Sequence, residues 1–232
     1  MSDWGNTLGM HFGLVAVKAD VKQLVEAFPL TWPQYEVTAA ASLDGLEQLW
    51  RWQQSNERSV SGEHRSKAGP GAEVFEFWQD GPWAIMMDPS YVQASDENAL
   101  AALSIRFGLA LSFVIETSGG CAYFWCFKEG GLLRSVQYAD GKLVTRGEPM
   151  EEESGMRPDS FYMEETEELQ KRFGITPPEQ LSEARQCEGL AVIDRTDYSA
   201  LLAAKGTTRP SESEHLPPPL ASMSGRPWWK FW

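Results

Sequence analysis

Asp88 and Glu116 each close an apolar run, WAIMMD and LALSFVIE respectively. A carboxyl group at a strand end is placed for acid–base work when a neighbouring strand brings a second one beside it. The two form the candidate catalytic pair, and the chemistry they would serve is that of a small hydrolase. The plainer reading of the same pattern is that both residues mark the water-exposed ends of their strands. Among 33 Asp and Glu in 232 residues, some pair always looks suggestive.

Covalent catalysis would need Cys121, Cys126 or a serine beside His11 or His64 as base. The motif G-x-S-x-G does not occur. Cys121 and Cys126 fall in an aromatic-rich strand, where a small buried thiol with a raised pKa is the ordinary outcome. Five positions apart in an extended segment, they face opposite ways and cannot bridge locally. With Cys187 the count is three, which excludes complete pairing within the chain and fits a reducing, cytoplasmic setting. The three histidines (His11, His64, His215) lack H-x-H or H-E-x-x-H spacing, and C-x-x-C is missing, so no metal site is expected. Neither G-x-x-x-x-G-K-[ST] nor G-x-G-x-x-G is present. Gly69-Pro70-Gly71 follows no strand, the wrong context for cradling phosphate. The expectation is a protein without cofactor.

Two further segments carry recognition chemistry. From Glu148 to Glu168 the acids Glu151, Glu152, Glu153, Glu164 and Glu165 accompany others, with Arg157 the single base. Such a stretch either clamps a basic partner or stays wet as a solvated loop and helix face. It matches no calcium loop, since D-x-[DN]-x-[DN]-G is missing. The chain closes on Arg226-Pro-Trp228-Trp229-Lys230-Phe231-Trp232. Leaving such side chains in water is unfavourable by about 1.5–3 kcal/mol each. The tail would dock into a partner's groove on its linker, sit at a membrane interface, or fold back over its own domain.

The elements that must position these residues follow from periodicity. Phe12–Lys18 reads as a strand, and Asp20 caps a helix with Val21, Leu24, Val25 and Phe28 on one stripe, closed by Pro29 and Pro33. Tyr35–Ala41 reads as a weak strand, followed by a helix capped by Ser42 with Leu43, Leu46, Leu49 and Trp50 on its stripe. Ser55–Ala72 is polar and glycine-rich, a surface loop. Glu73–Gln79 and Trp83–Asp88 form a hairpin on Asp80-Gly81. Ser95 caps a helix carrying Ala99, Leu100, Leu103 and Phe107, stopped at Gly108. Four strands then follow as a β-meander over about 109–146, broken at glycine pairs and Asp140-Gly141. Cys121–Lys128 is apolar on both faces and should be central; the next strand should lie nearer an edge. Glu164–Phe173 reads as a helix ended by Gly174. Thr176-Pro-Pro-Glu179 has capping-box spacing for a helix to about Cys187, Leu190–Asp194 reads as a strand, and Tyr198–Ala204 as a last helix.

This pattern gives an α+β fold, a largely antiparallel sheet packed against helices with a Pro/Ser-rich C-terminal tail. The expected organisation is one domain over 1–204 with a possible sub-boundary near 148–160, an extended linker over 205–225 and an aromatic tail over 226–232. Hydrophobic residues at 42% supply a core and exclude wholesale disorder. No run of roughly 18 apolar residues is present, and no basic segment followed by an apolar one opens the chain. A net charge of -13 argues against nucleic acid and against anionic membranes, and favours basic protein surfaces.

In layout and charge the chain resembles the small acidic α+β proteins that bacteria use as immunity or accessory binding proteins, a likeness of type that transfers no residues. The function expected is a non-enzymatic protein-binding module. Its contacts would come from Glu151–Glu153 with Glu164 and Glu165, or from Trp228, Trp229, Lys230, Phe231 and Trp232.

Overall fold

Both faces of Cys121–Lys128 are apolar because both are covered: seven of its eight residues are buried in the middle of a layered structure. The computed structural model describes residues 11–56, 72–117, 119–157 and 161–196. The strands are β1 (His11–Val17), β2 (Tyr35–Asp44), β3 (Ala72–Asp80), β4 (Trp83–Asp88), β5 (Leu109–Glu116), β6 (Cys121–Lys128), β7 (Gly131–Ala139), β8 (Lys142–Arg146) and β9 (Gln186–Asp194). They join one nine-stranded sheet in the order β2-β9-β3-β4-β1-β5-β6-β7-β8, with every neighbouring pair antiparallel. Four helices pack against it: α1 (Val21–Thr31), α2 (Leu46–Asn56), α3 (Glu97–Phe107) and α4 (Met163–Arg172). The fold is α+β, as the alternation of elements implies.

Alternation along the strands divides the core into two layers. Phe12, Leu14, Ile85, Phe113, Phe124 and Cys126 point to one face, where Leu49 of α2 and Leu169 of α4 join them. Val15, Val17, Ala84, Met86, Val114 and Trp125 are buried on the opposite face, toward α1 and α3. There Phe28 of α1 stacks obliquely on Phe75 at 4.9 Å and meets Phe77 edge-on at 5.9 Å. Among the described residues no helix is long and apolar enough to cross a membrane.

The meander runs as expected through β5, β6, β7 and β8, which are consecutive in the sheet, with β8 at its edge. The β3–β4 hairpin on Asp80-Gly81 also forms. Asp20 caps α1 by a capping box with Gln23, but the helix continues through Pro29 to Thr31. Pro29 lacks only one N–H, and the burial of Phe28 and Trp32 on either side holds the last turn in place. Ser42 caps no helix: it belongs to β2, where its hydroxyl donates to Glu188 of β9 at 2.6 Å. Leu43 likewise pairs with Cys187 in the sheet, and Trp50 is 57% exposed instead of lying on a buried stripe. Asp96, not Ser95, caps α3, accepting from the N–H groups of Asn98 and Ala99.

The helix expected up to Cys187 is a single 3-10 turn, Pro178–Gln180, and β9 begins at Gln186. Pairing with β2 on one side and β3 on the other gives residues 186–194 more backbone bonds and burial than a short helix would. The Ser55–Ala72 loop falls mostly, and the Tyr198–Ala204 helix, the linker and the aromatic tail wholly, outside the described residues. The chain divides into two units, Met1–Asp194 and Arg195–Trp232.

Candidate functional site

Asp88 and Glu116 end neighbouring strands of β1: Asp88 is in register with Gly13, and Glu116 with His11. Both face the α1/α3 side, but β1 runs between them and their registers differ by two residues, so their backbones are about 12 Å apart. Neither marks a water-exposed end. Asp88 is 0% and Glu116 6% exposed.

The Asp88 carboxylate organises the loop between β4 and α3. It accepts from the N–H groups of Ser90, Gln93 and Ala94 (3.0, 2.7 and 3.0 Å) and from the Ser90 hydroxyl (2.9 Å). The Gln93 carboxamide adds its nitrogen, at 3.0 and 3.1 Å, and turns its oxygen to the Tyr35 hydroxyl. Burial outweighs these donors and pushes the Asp88 carboxyl up to about 6. The loop lies flat on the sheet because Gly13 has no side chain: a Cβ there would come within 2.5 Å of Ala94 Cβ. Tyr91, at the loop's crest, holds a left-handed φ of 48°, and its carbonyl accepts from the Ser95 hydroxyl at 2.7 Å. Its phenol is raised by burial first, then by Glu116, Cys121 and Asp88, so it lies in the field of both carboxylates.

Glu116 turns under the β5–β6 connection, accepting from the Gly119 N–H. A Cβ on Gly119 would meet the Glu116 carboxylate oxygen, so a larger residue there would make the flexible Glu116 side chain move aside. Cys121 is in register beside Glu116, and its thiol is pushed up, mainly by burial. Burial raises Cys126 and Cys187 to about 12. All three thiols are buried and free, which makes them core residues and poor nucleophiles.

Beside the β5–β6 turn the ends of three elements leave a surface cleft of about 480 Å³, lined by Gly119, Gly120, Tyr138, Asp140, Gly141 and Tyr162. The Tyr138 and Tyr162 rings meet at 6.1 Å and 53°. The Tyr162 hydroxyl is raised by burial first and then by Glu116 and Cys121. Sequence reasoning missed this group. Aromatics at the end of β7 and just before α4 were visible, but nothing in their spacing says that two distant segments meet.

The two acidic stretches do come together. Arg172 of α4 donates from Nη1 to the carbonyls of Glu152 and Ser154 (3.0 and 2.5 Å) and from Nε to Glu168 (2.8 Å). This ties α4 to the 3-10 turn Glu151–Glu153, and a shallow cleft of about 250 Å³ lies between α4 and Gly155, Met156 and Arg157. Within the set, roles differ. Glu153 points inward, in a two-pronged pair with Arg134 (2.8 and 2.7 Å). Glu165 accepts the Tyr162 N–H at 3.1 Å, as a capping residue. Glu151 and Glu164 are exposed, and Glu152 is half-buried. Glu167 is raised by burial first, then by the like charge of Glu179, against a smaller opposing effect of Lys171.

Among the described residues no group of His, Cys, Asp and Glu is arranged to hold a metal ion. His64 and His215 lie outside them, as do Trp228, Trp229, Lys230, Phe231 and Trp232. Comparison with protein-family models, with curated proteins and with solved structures found no match.

Proposed function

We propose that the chain is a protein-binding module that engages a basic partner through the acidic face of α4 and the Glu151–Glu153 turn. The observation that carries this reading is the Arg172 bridge, which fixes two separate acidic segments in one rigid surface. Glu151, Glu164 and the Arg172-paired Glu168 are exposed on these segments, with Glu179 of the Pro178–Gln180 turn beside them; Glu167 is raised by burial and then by Glu179, and the second effect is the kind that a partner's cations relieve. A fixed array of like charges steers a basic partner and speeds association. In its concrete form the module is an immunity-like inhibitor or accessory protein in a reducing cytoplasm, a setting supported by three free thiols. The aromatic tail is the second contact in this reading.

The hydrolase alternative rests on Asp88 and Glu116, and the loop donors around Asp88 favour a structural role for it. The experiment is affinity capture at low and high salt with the full chain, the Glu164→Gln/Glu168→Gln variant, and a chain ending at Lys205. Steep loss of the captured partner with salt and with the double substitution supports the acidic face. Capture that is unchanged by the double substitution but lost on truncation moves the contact to the tail. Salt-independent capture by all three overturns the proposal.

A further inference from the structure

We propose that the cleft between the β5–β6 and β7–β8 turns binds an organic cation, the guanidinium or ammonium group of a basic side chain, against the Tyr138 and Tyr162 rings. This deepens the reading above, because Tyr162 is the N-cap of α4 and so adjoins the acidic face.

Three independent features converge on a positive ligand. The first is shape: about 480 Å³ is open at the surface, enough for one long side chain. The second is the ring pair, whose faces attract a cation through their quadrupoles. The third is charge. Asp140 is exposed on the rim, and among the described residues the lining includes no Lys or Arg. An anion would meet the Asp140 carboxylate, and a neutral ligand would gain nothing from it.

The test is a two-dimensional amide NMR titration of the full chain with N-acetyl-arginine methylamide, with tetramethylammonium, and with uncharged N-acetyl-norleucine methylamide. Both cations should shift the Gly119, Gly120 and Gly141 amides, and the neutral compound should not. Tyr162→Ala should weaken the arginine derivative by about 2- to 5-fold, the range of an exposed cation–π contact. Asp140→Asn, on an exposed turn where folding is not at stake, should weaken it also and flatten its salt dependence. Equal shifts from the neutral compound, or a titration unchanged in both variants, would overturn the site. A hexa-arginine peptide distinguishes the source. Affinity well above that of the single arginine, reduced by Glu164→Gln/Glu168→Gln, supports a protein side chain presented along the acidic face. Equal affinity overturns that part and assigns the cleft to a free small cation. The cleft result does not depend on any captured partner, so failure of the binding-module reading and failure of the site are separately visible.

Discussion

A buried carboxylate with five donors around it is a compromise between desolvation and hydrogen bonding, and at Asp88 desolvation is the larger effect. The folded value of about 6 exceeds the ordinary 3.8. The native state therefore holds a proton that the unfolded chain has released between those two values. The stability this contributes is complete below about pH 4 and is lost as pH rises through about 6, a difference of about 3 kcal/mol. Asp88→Asn has no such proton. In urea titrations the wild type should lose up to about 3 kcal/mol relative to Asp88→Asn between about pH 4 and about pH 7. A constant difference across that range would show that Asp88 does not titrate there.

At the scale of elements, the β4–α3 loop depends on β1 for its seat. Gly13 lets Ala94 and Tyr91 approach the sheet, with Tyr91 Cα 3.0 Å from where a Cβ would be. Gly13→Ala should therefore destabilise the protein by about 1–3 kcal/mol through overpacking. Adding Ala94→Gly removes the nearer obstacle and should recover part of the loss, read as the denaturation midpoint of the double variant against each single one. No recovery would mean that the strain lies elsewhere. The same dependence explains which elements were legible beforehand. β5 to β8 are neighbours in sequence and in space, so turn chemistry and alternation suffice to find them. β2 and β9 lie at the far side of the sheet and pair across most of the chain's length. Their local signals, an alanine run and a proline-led cap, point to a shorter strand and to a helix until the partner strand is known.

Across the whole molecule, one sheet carries both core layers, and protection should grade from its centre outward. Amides of β1, β4, β5 and β6 should exchange slowest, and those of the edge strands β2 and β8 first, in hydrogen-exchange mass spectrometry. Protection of β8 equal to that of β6 would contradict a single layered core. The α+β class, the meander, the burial of β6 on both faces and the burial of the thiols were all written in local patterns, because period-two alternation and turn residues act over a few positions; that β1, and not β6, is the central strand was not. Burial of Asp88 and Glu116, the joining of two acidic segments by Arg172 and the meeting of Tyr138 with Tyr162 were decided by tertiary structure alone. Each depends on which strands become neighbours and how they register, and that is set by the packing of the whole chain, to which no short stretch of sequence has access.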